Sequence, residues 1–353
     1  MSLMHAAQTP SRRPAGTAAV MGWLLIATLP GIAALSWHFG WGVLTNVAFA
    51  AALGVGLEAA VLRLRGRPAG ATLADNSALV TGVLLGASLP PGSAWWLILT
   101  GMIAAIVVAK QLYGGLGHNP FNPAMVGYAV LLVSFPVPMS LWAAPTGLVG
   151  PEAQPLGEVL RQFAGLATLE TLDALSGATP LDAFKHKPEG LMAAEFWAAS
   201  PLPEGALTAW RQVALAWLAG GALLLYKRII GWQIPAAMLA SLALLAALLY
   251  AASPSHQGSP LFHLLGGAAV FGAFFIATDP VSAATSRRGR WLYGAGIGAL
   301  VVLIRAFGGY PDAVAFAVLL MNLAAPLLDY YTEPRAYGHA AATRGIAARE
   351  DDR

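Results

Sequence analysis

Long apolar segments constrain what this chain can fold into more than any other feature of its sequence. A helix needs about 20 apolar residues to cross the hydrocarbon core of a bilayer. Runs of nearly that length lie near residues 19–37, 43–62, 94–112, 206–225, 232–250, 261–277, 290–307 and 312–328, and two shorter runs lie near 76–89 and 123–137. Only 10% of the residues are charged, whereas about 25% are charged in soluble proteins. We therefore predict an all-α integral membrane protein with about ten transmembrane helices in direct contact with the lipid bilayer.

The basic residues predict how these helices are oriented, because lysine and arginine are enriched in short cytoplasmic loops. They cluster at alternate helix boundaries, namely at Arg12, Arg13, Arg63, Arg65, Arg67, Lys110, Lys227, Arg228, Arg287, Arg288 and Arg290. The intervening short loops at 38–42, 90–93 and 251–260 contain neither lysine nor arginine. Both termini are therefore predicted to be cytoplasmic, and residues 138–205 to be periplasmic.

The two halves of the chain are similar in sequence, which predicts an internal repeat. Residues 123–132 and 311–320 align without gaps and are identical at six of ten positions. Since these would be the fifth and tenth helices, the second half would be inverted in the membrane. We predict a cytoplasmic N-terminus (1–18), two five-helix repeats (19–137 and 206–328), a periplasmic segment between them (138–205) and a cytoplasmic tail (329–353). The short runs, flanked by Asn, Pro and Gly, predict broken helices.

The composition excludes several kinds of chemistry. The chain has no cysteine, so it cannot supply a disulfide, a thiol nucleophile or a cysteine-ligated iron–sulfur cluster. Its seven histidines never occur in close pairs, which argues against a haem or zinc site. The net charge of +3 in so apolar a chain predicts contact with lipid and no nucleic-acid partner. A redox function would need an organic cofactor.

The one long polar segment contains Asp173 to Pro180, a stretch with two compatible interpretations. In the simpler one, Thr179 caps a short helix that begins at Pro180 and carries Asp182 in its first turn. In the other, Thr179 is a chemical attachment site. Residues 173–179 follow the pattern D-x-x-(S/T)-G-A-(S/T), which a flavin transferase recognises when it joins FMN through its phosphate to the last hydroxyl.

Motifs along nearly the whole chain make it resemble the D-type subunits of Rnf electron-transport complexes, a family related to the B-type subunits of the sodium-pumping NADH:quinone reductase. The motifs are Gly117–Met125, Ser176–Asp182, Ala277–Ala283 and Gly308–Asp312. The resemblance implies FMN on Thr179, with Asp173, Ser176, Gly177 and Ala178 recognised by the transferase. It also implies a bacterial inner-membrane complex with iron–sulfur and flavin subunits, which transfers electrons between ferredoxin and NAD and translocates sodium ions or protons. This chain alone would not complete that reaction.

Asn119 and Asn122 precede the short fifth helix and have two interpretations. Either could cap the helix, and His118 fits the Pro-rich turn before it. In the related quinone-reductase family, the matching asparagines approach a non-covalent riboflavin. The resemblance therefore gives riboflavin at Asn119 and Asn122 as a hypothesis.

Other polar residues lie near or within the predicted spans. Glu58 either reaches the cytoplasmic interface or handles ions, and Lys110 and Arg305 are expected to reach the membrane surfaces. The stretches Asp75–Ser77 and Thr278–Ser282 are explained by helix capping.

Two alternatives to the electron-transfer function remain open at this point. Inverted repeats and broken helices are also typical of secondary transporters that carry no cofactor. A purely structural scaffold is the other alternative. A flavin bound to Thr179 would separate the electron carrier from both.

Overall fold

A computed structural model describes residues 16–148, 153–167, 177–188, 190–199, 202, 205–310 and 312–332. The predicted all-α fold is confirmed, because the regular structure of these residues is helical. The helices are α1 (Thr17–Phe39), α2 (Trp41–Leu64), α3 (Ala69–Leu73), α4 (Ser77–Ser88), α5 (Trp95–Met102, followed by the π-helix Ile103–Gln111), α6 (Pro123–Ser134), α7 (Pro136–Ser140) and α8 (Leu156–Phe163). They continue with α9 (Pro180–Lys185), α10 (Ala193–Ala198), α11 (Ala206–Tyr226), α12 (Gln233–Ala252), α13 (Pro260–Leu265), α14 (Ala269–Phe271, followed by the π-helix Gly272–Ile276), α15 (Arg287–Phe307) and α16 (Val314–Thr332).

The long helices match the predicted membrane spans. Within the described residues, five helices are long and apolar enough to cross a membrane: α1, α2, α12, α15 and α16. Helix α11 has 21 residues but carries Arg211 and Gln212 near its start. The two short runs form the 12-residue helices α4 and α6, as predicted. These features are those of a multi-pass membrane protein.

The predicted eighth span, near 261–277, is not one continuous helix. Helix α13 ends at Leu265 and α14 begins at Ala269, so Gly266, Gly267 and Ala268 form a break. The break is stabilised from a distant part of the chain, because the Ala268 amide donates to Asp312 Oδ2 at 2.9 Å. A side chain at Gly267 would collide with Leu181 of α9. The continuous span predicted here was therefore wrong, since apolar composition alone does not reveal a break.

Small residues allow the two halves of the chain to approach closely. Helices α1 and α11 pack against each other where a Cβ atom on Gly31 would strike the Trp217 ring, and one on Gly220 would strike the Ala27 carbonyl. Helix α6 likewise packs against α16. Without a hydrophobic driving force between helices in lipid, close packing at small residues is what holds them together.

The described parts of residues 138–205, here called the connecting segment, lie against one end of the helix bundle. Helix α8 packs on α2, with the Phe163 ring 4.9 Å from that of Phe49. Helices α9 and α10 form a small second core with Phe262 of α13, made of Leu181, Phe184, Ala193, Phe196 and Phe262. The segment is therefore anchored beside the break between α13 and α14.

Candidate functional site

An aromatic cavity of about 380 Å³ opens between the connecting segment and the membrane helices. Most of its wall is apolar, and its aromatic side chains are Tyr128, Trp142, Trp210, Trp217, Phe271 and Tyr310. Helices from both halves of the chain supply these rings, and Gly266, Gly267 and Ala268 of the helix break complete one side. We call this space the aromatic cavity. Its volume lies within the range of about 300–1,000 Å³ typical of small-molecule sites.

Thr179 lies in the wall of the aromatic cavity, at the start of α9. Its Oγ1 atom accepts a hydrogen bond from the Asp182 amide at 3.2 Å, and Pro180 is the first helical residue. The predicted helix cap is confirmed. Just before it, the Gly177 amide donates to the Trp142 carbonyl at 2.7 Å, and Ala178 is exposed. Asp173 and Ser176, also predicted to belong to the attachment motif, lie outside the described residues.

The far end of α9 is attached to a membrane helix through Lys185. Its Nζ atom donates to the carbonyls of Arg305 at 2.9 Å and Ile304 at 3.4 Å, both in the last turns of α15. Burial lowers the pKa of Lys185 from its ordinary value, because the charged amine loses solvent there.

The sequence analysis predicted that Arg305 reaches the membrane surface, but in the structure its side chain is buried. Its guanidinium lies 3.0 Å from Asp312 Oδ1 and donates to the His263 carbonyl at 2.6 Å. Asp312 lines the aromatic cavity and also accepts from the amides of Ala268 and Ala313. This ion pair thus ties α15 to the helix break that forms the cavity wall.

A second polar region, which we call the polar cluster, lies where α2, α4 and α5 meet. Lys110 Nζ is 2.7 Å from Glu58 Oε1 and donates to Ser77 Oγ at 2.6 Å. Gln111 donates to the same Glu58 oxygen at 2.6 Å. Lys110 is only 1% exposed and Glu58 is fully buried. Lys110 was expected to reach the surface, and this was wrong, because its amine pairs with Glu58 inside the protein. Both interpretations of Glu58, at the interface or in ion handling, stay predictions.

Lys110 and Gln111, adjacent in sequence at the π-helical end of α5, both reach Glu58 Oε1. In an α-helix, consecutive side chains point about 100° apart. In this wider helix, Ile103–Gln111, both side chains are buried on the Glu58 side. Such π-helical turns occur frequently at functional sites.

Asn119 and Asn122 lie beside a much smaller cavity of about 40 Å³ that Lys110, Ser77 and Asp279 also line. Asn122 caps α6, since its Oδ1 accepts from the Met125 amide at 3.2 Å. Its side-chain amide donates to the Ile276 carbonyl at 3.3 Å. The capping interpretation of Asn122 is therefore confirmed. His118, as predicted, lies exposed in the preceding turn.

Asn322 on α16 is a buried polar residue that the sequence analysis missed. Its Oδ1 accepts from the Asn122 amide at 3.1 Å, and its side-chain amide donates to Tyr293 Oη at 2.6 Å and to the Ser282 carbonyl at 3.1 Å. An asparagine in the middle of an apolar span was the signal that could have found it.

The stretches Asp75–Ser77 and Thr278–Ser282 contain local side-chain bonds, but the predicted helix caps were wrong: Asn76, the cap residue of α4, makes no side-chain cap bond, and α15 begins only at Arg287 and is capped by Ser286. Asp75 accepts from the amide and the hydroxyl of Ser77. Asp279 accepts from the amide and the hydroxyl of Ser282 in the same way. Each aspartate thus satisfies a free backbone amide a few residues further along the chain.

Residues 5–338 of the chain match the NQR2, RnfD, RnfE family. The chain belongs to this family. Three relatives match over nearly the full length, and each is named as the D-type subunit of an ion-translocating oxidoreductase complex. The protein of Marinobacter nauticus is 51% identical over 352 residues, 99% of either chain. That of Alcanivorax borkumensis is 50% identical over 348 residues, 98% of this chain and 99% of the relative. That of Salmonella paratyphi A is 50% identical over 333 residues, 92% of this chain and 95% of the relative. The resemblance predicted from the motifs is thereby confirmed.

The residues around Thr179 in this family member fit a flavin mononucleotide. A tricyclic flavin ring needs flat apolar surfaces, and the aromatic cavity offers the rings of Tyr128, Trp142 and Trp210. It also needs polar partners, which Ser88, Ser140 and Asp182 can supply. Among the described residues, Thr179 Oγ1 bonds only to a backbone amide, so its hydroxyl is free of internal side-chain partners and is available for substitution.

The residues around Asn119 and Asn122 do not fit a second flavin within this single chain. The cavity beside them, about 40 Å³, has room for a few water molecules but not for a tricyclic ring. The Asn122 side chain already caps α6 through its Oδ1 and bonds the Ile276 carbonyl through its amide nitrogen. Asn119 Oδ1 is buried without a partner among the described residues. The riboflavin hypothesis therefore stays a prediction.

Proposed function

We propose that this chain is the membrane subunit of an ion-translocating oxidoreductase complex in which FMN, joined to Thr179 through its phosphate, is an electron carrier. Family membership and the names of the relatives support the first part. The observation that carries the second part is the position of Thr179 in the wall of the aromatic cavity. A hydroxyl beside an apolar, ring-lined space of ligand size suits attachment of an aromatic cofactor.

A bound flavin would supply one- and two-electron chemistry that no side chain of this chain supplies. The chain's own residues would hold and orient it. The indoles of Trp142 and Trp210 contact each other with centroids 5.1 Å apart and cover one part of the cavity. Such apolar walls exclude water and lower the local dielectric constant, which strengthens each polar contact made to a ligand.

Attachment of FMN would require a separate flavin transferase. A threonine hydroxyl is a poor nucleophile unless a neighbouring base activates it. His186, the nearest histidine in sequence, instead lies 3.1 Å from the Asp182 carboxylate. The exposed Ala178 and the half-buried Gly177 leave the backbone before Thr179 accessible to a second enzyme.

The remaining partners follow from the same resemblance. The complex would lie in the bacterial inner membrane, with both termini of this chain cytoplasmic and Thr179 periplasmic. Its other subunits would carry iron–sulfur clusters and further flavins and connect ferredoxin with NAD. Electron transfer would be coupled to the movement of sodium ions or protons.

The direct test is flavin fluorescence of the denatured protein in a gel, using a host that contains the flavin transferase. The wild-type band should fluoresce, and Thr179→Ser should too, because the attachment pattern accepts either hydroxyl. Thr179→Ala should abolish the signal. Thr146→Ala is a matched control, since Thr146 is an exposed threonine of the same segment, and it should leave fluorescence unchanged.

A cofactor-free secondary transporter is the alternative, and one observation favours it. The aromatic cavity lies between helices of both halves and against a broken helix, where transporters bind their substrates. A wild-type band without flavin fluorescence, from a host with an active transferase, would support the transporter and contradict the FMN proposal.

A further inference from the structure

Helix α9, which Thr179 caps, has only six residues and needs outside contacts to hold its position. Isolated helices of this length are unstable in water. One set of contacts is apolar, because Leu181 and Phe184 belong to the small core shared with Phe262. The other is polar and, among the residues that the structure describes, comes from the Lys185 side chain.

Lys185 bonds to the part of α15 that most needs hydrogen-bond donors. The last four carbonyls of a helix have no partners within it, and the negative end of the helix dipole favours a cation there. Helix α15 ends at Phe307. The Lys185 amine reaches the Arg305 carbonyl at 2.9 Å. It also lies 3.4 Å from the Ile304 carbonyl, which already accepts from the Gly308 amide.

The same turn of α15 also holds the wall of the aromatic cavity. The Arg305 side chain pairs with Asp312 at 3.0 Å and donates to the His263 carbonyl at 2.6 Å. Leu181 of α9 sits against Gly267, at the break that Asp312 stabilises. The backbone of Arg305 therefore binds the helix that carries Thr179, while its side chain binds the cavity wall.

We propose that Lys185 is a positioning residue of the flavin site, which fixes the Thr179 helix against the cavity by bonding the carbonyl end of α15. This inference rests on the proposed function for its purpose, but the attachment of α9 to α15 can be measured without any flavin. Lys185 lies outside the attachment motif. Its loss should therefore change how Thr179 is held and not whether the transferase modifies it.

The experiment compares Lys185→Met, which keeps the unbranched stem and removes the amine, with Lys185→Arg, which keeps the charge and the N–H donors. Hydrogen–deuterium exchange is followed by mass spectrometry on the intact purified chain. Loss of a hydrogen bond from a charged group should make the amides of residues 181–186 exchange about tenfold to a hundredfold faster in Lys185→Met. Lys185→Arg should restore slow exchange. Arg161→Met, which removes an exposed positive charge from α8, should leave residues 181–186 unchanged.

The flavin gives a second readout. Iodide should quench the native fluorescence of Lys185→Met more strongly than that of the wild type, while the denatured gel signal stays equal. Unchanged exchange in residues 181–186 of Lys185→Met would overturn the inference, as would equal acceleration in Arg161→Met. Repeating the exchange measurement on wild type and Lys185→Met from a host without the flavin transferase separates the two claims, because the Thr179 cap of α9 then stays intact. A wild-type protein without flavin from a host with the transferase would refute the proposed function, and the exchange rates would still decide the role of Lys185.

Discussion

The aromatic cavity and the polar cluster differ in how much empty space their side chains surround and in how far their polar groups bond to one another. The aromatic cavity has about 380 Å³ of space between rings, and within the described part of the chain Thr179 Oγ1 bonds only to the backbone of its own helix. In the polar cluster, Glu58, Lys110, Gln111 and Ser77 bond to one another, and the adjoining cavity is about 40 Å³. One region has room for a large molecule. In the other, the charges of Glu58 and Lys110 are paired, while Glu58 Oε2 and Gln111 Oε1 are buried without a hydrogen-bond partner among the described residues.

This difference distinguishes a site that can bind a ligand from a site where two buried charges compensate each other. A buried charge without a partner costs several kcal/mol, so an ion pair inside a membrane protein is first of all a way to bury both charges. Aromatic rings that surround an empty space lose packing contacts with one another, because apolar side chains in a protein interior normally pack tightly. The open, ring-lined space is therefore the stronger indication of a ligand.

The largest expected difference is that the two regions face opposite sides of the membrane. The chain lacks cysteine, so single cysteines can be placed at Pro188, in the connecting segment, and at Pro68, in the loop after α2, both exposed. A membrane-impermeant maleimide added to spheroplasts should label Pro188→Cys and leave Pro68→Cys unlabelled until the membrane is permeabilised. Labelling of Pro68→Cys alone in intact spheroplasts would refute the predicted orientation.

The next largest effect is expected from splitting the buried ion pair. Lys110→Met leaves Glu58 buried without its partner, and removal of one member of such a pair costs about 3–5 kcal/mol. The midpoint of thermal unfolding in detergent should fall accordingly. The double variant Glu58→Leu/Lys110→Met replaces both charges with apolar groups and should recover most of that loss. If the double variant is as unstable as the single one, Glu58 and Lys110 do more than neutralise each other's charge. The proposed difference between the polar cluster and the aromatic cavity would then be wrong.

A smaller effect should distinguish the two asparagines. Asn122→Ala removes a helix cap and the bond to Ile276 and should lower stability by about 1–2 kcal/mol. Asn119 makes one local bond, to the Phe121 carbonyl at 3.0 Å, so Asn119→Ala should cost about 1 kcal/mol or less. Chemical unfolding of the two variants measures the difference. A larger loss for Asn119→Ala would mean that Asn119 has a partner outside the described contacts.

The sequence predicts features that depend on neighbouring residues. Apolar runs indicated the long helices and the two 12-residue helices α4 and α6, because helix length follows directly from the number of apolar residues. The cap at Thr179 was also predictable, since Thr, Pro and Asp act within one turn. The helix that follows begins at the expected residue.

Features that depend on distant residues were not predictable. Lys110 and Arg305 were expected at the surface because their partners, Glu58 and Asp312, lie elsewhere in the chain. The break at Gly267 was missed because the contacts that fill it come from Leu181 and Asp312. The aromatic cavity itself joins rings from α6, α11 and the connecting segment, which no local pattern brings together.

The mass of the proteolytic peptide that contains Thr179 tests the central claim most directly. The protein is purified from a host with the flavin transferase, digested, and analysed by tandem mass spectrometry. We predict one FMN, attached through phosphate, with fragment ions that place it on Thr179. The same peptide recovered entirely unmodified, or FMN found on another residue, would contradict the account.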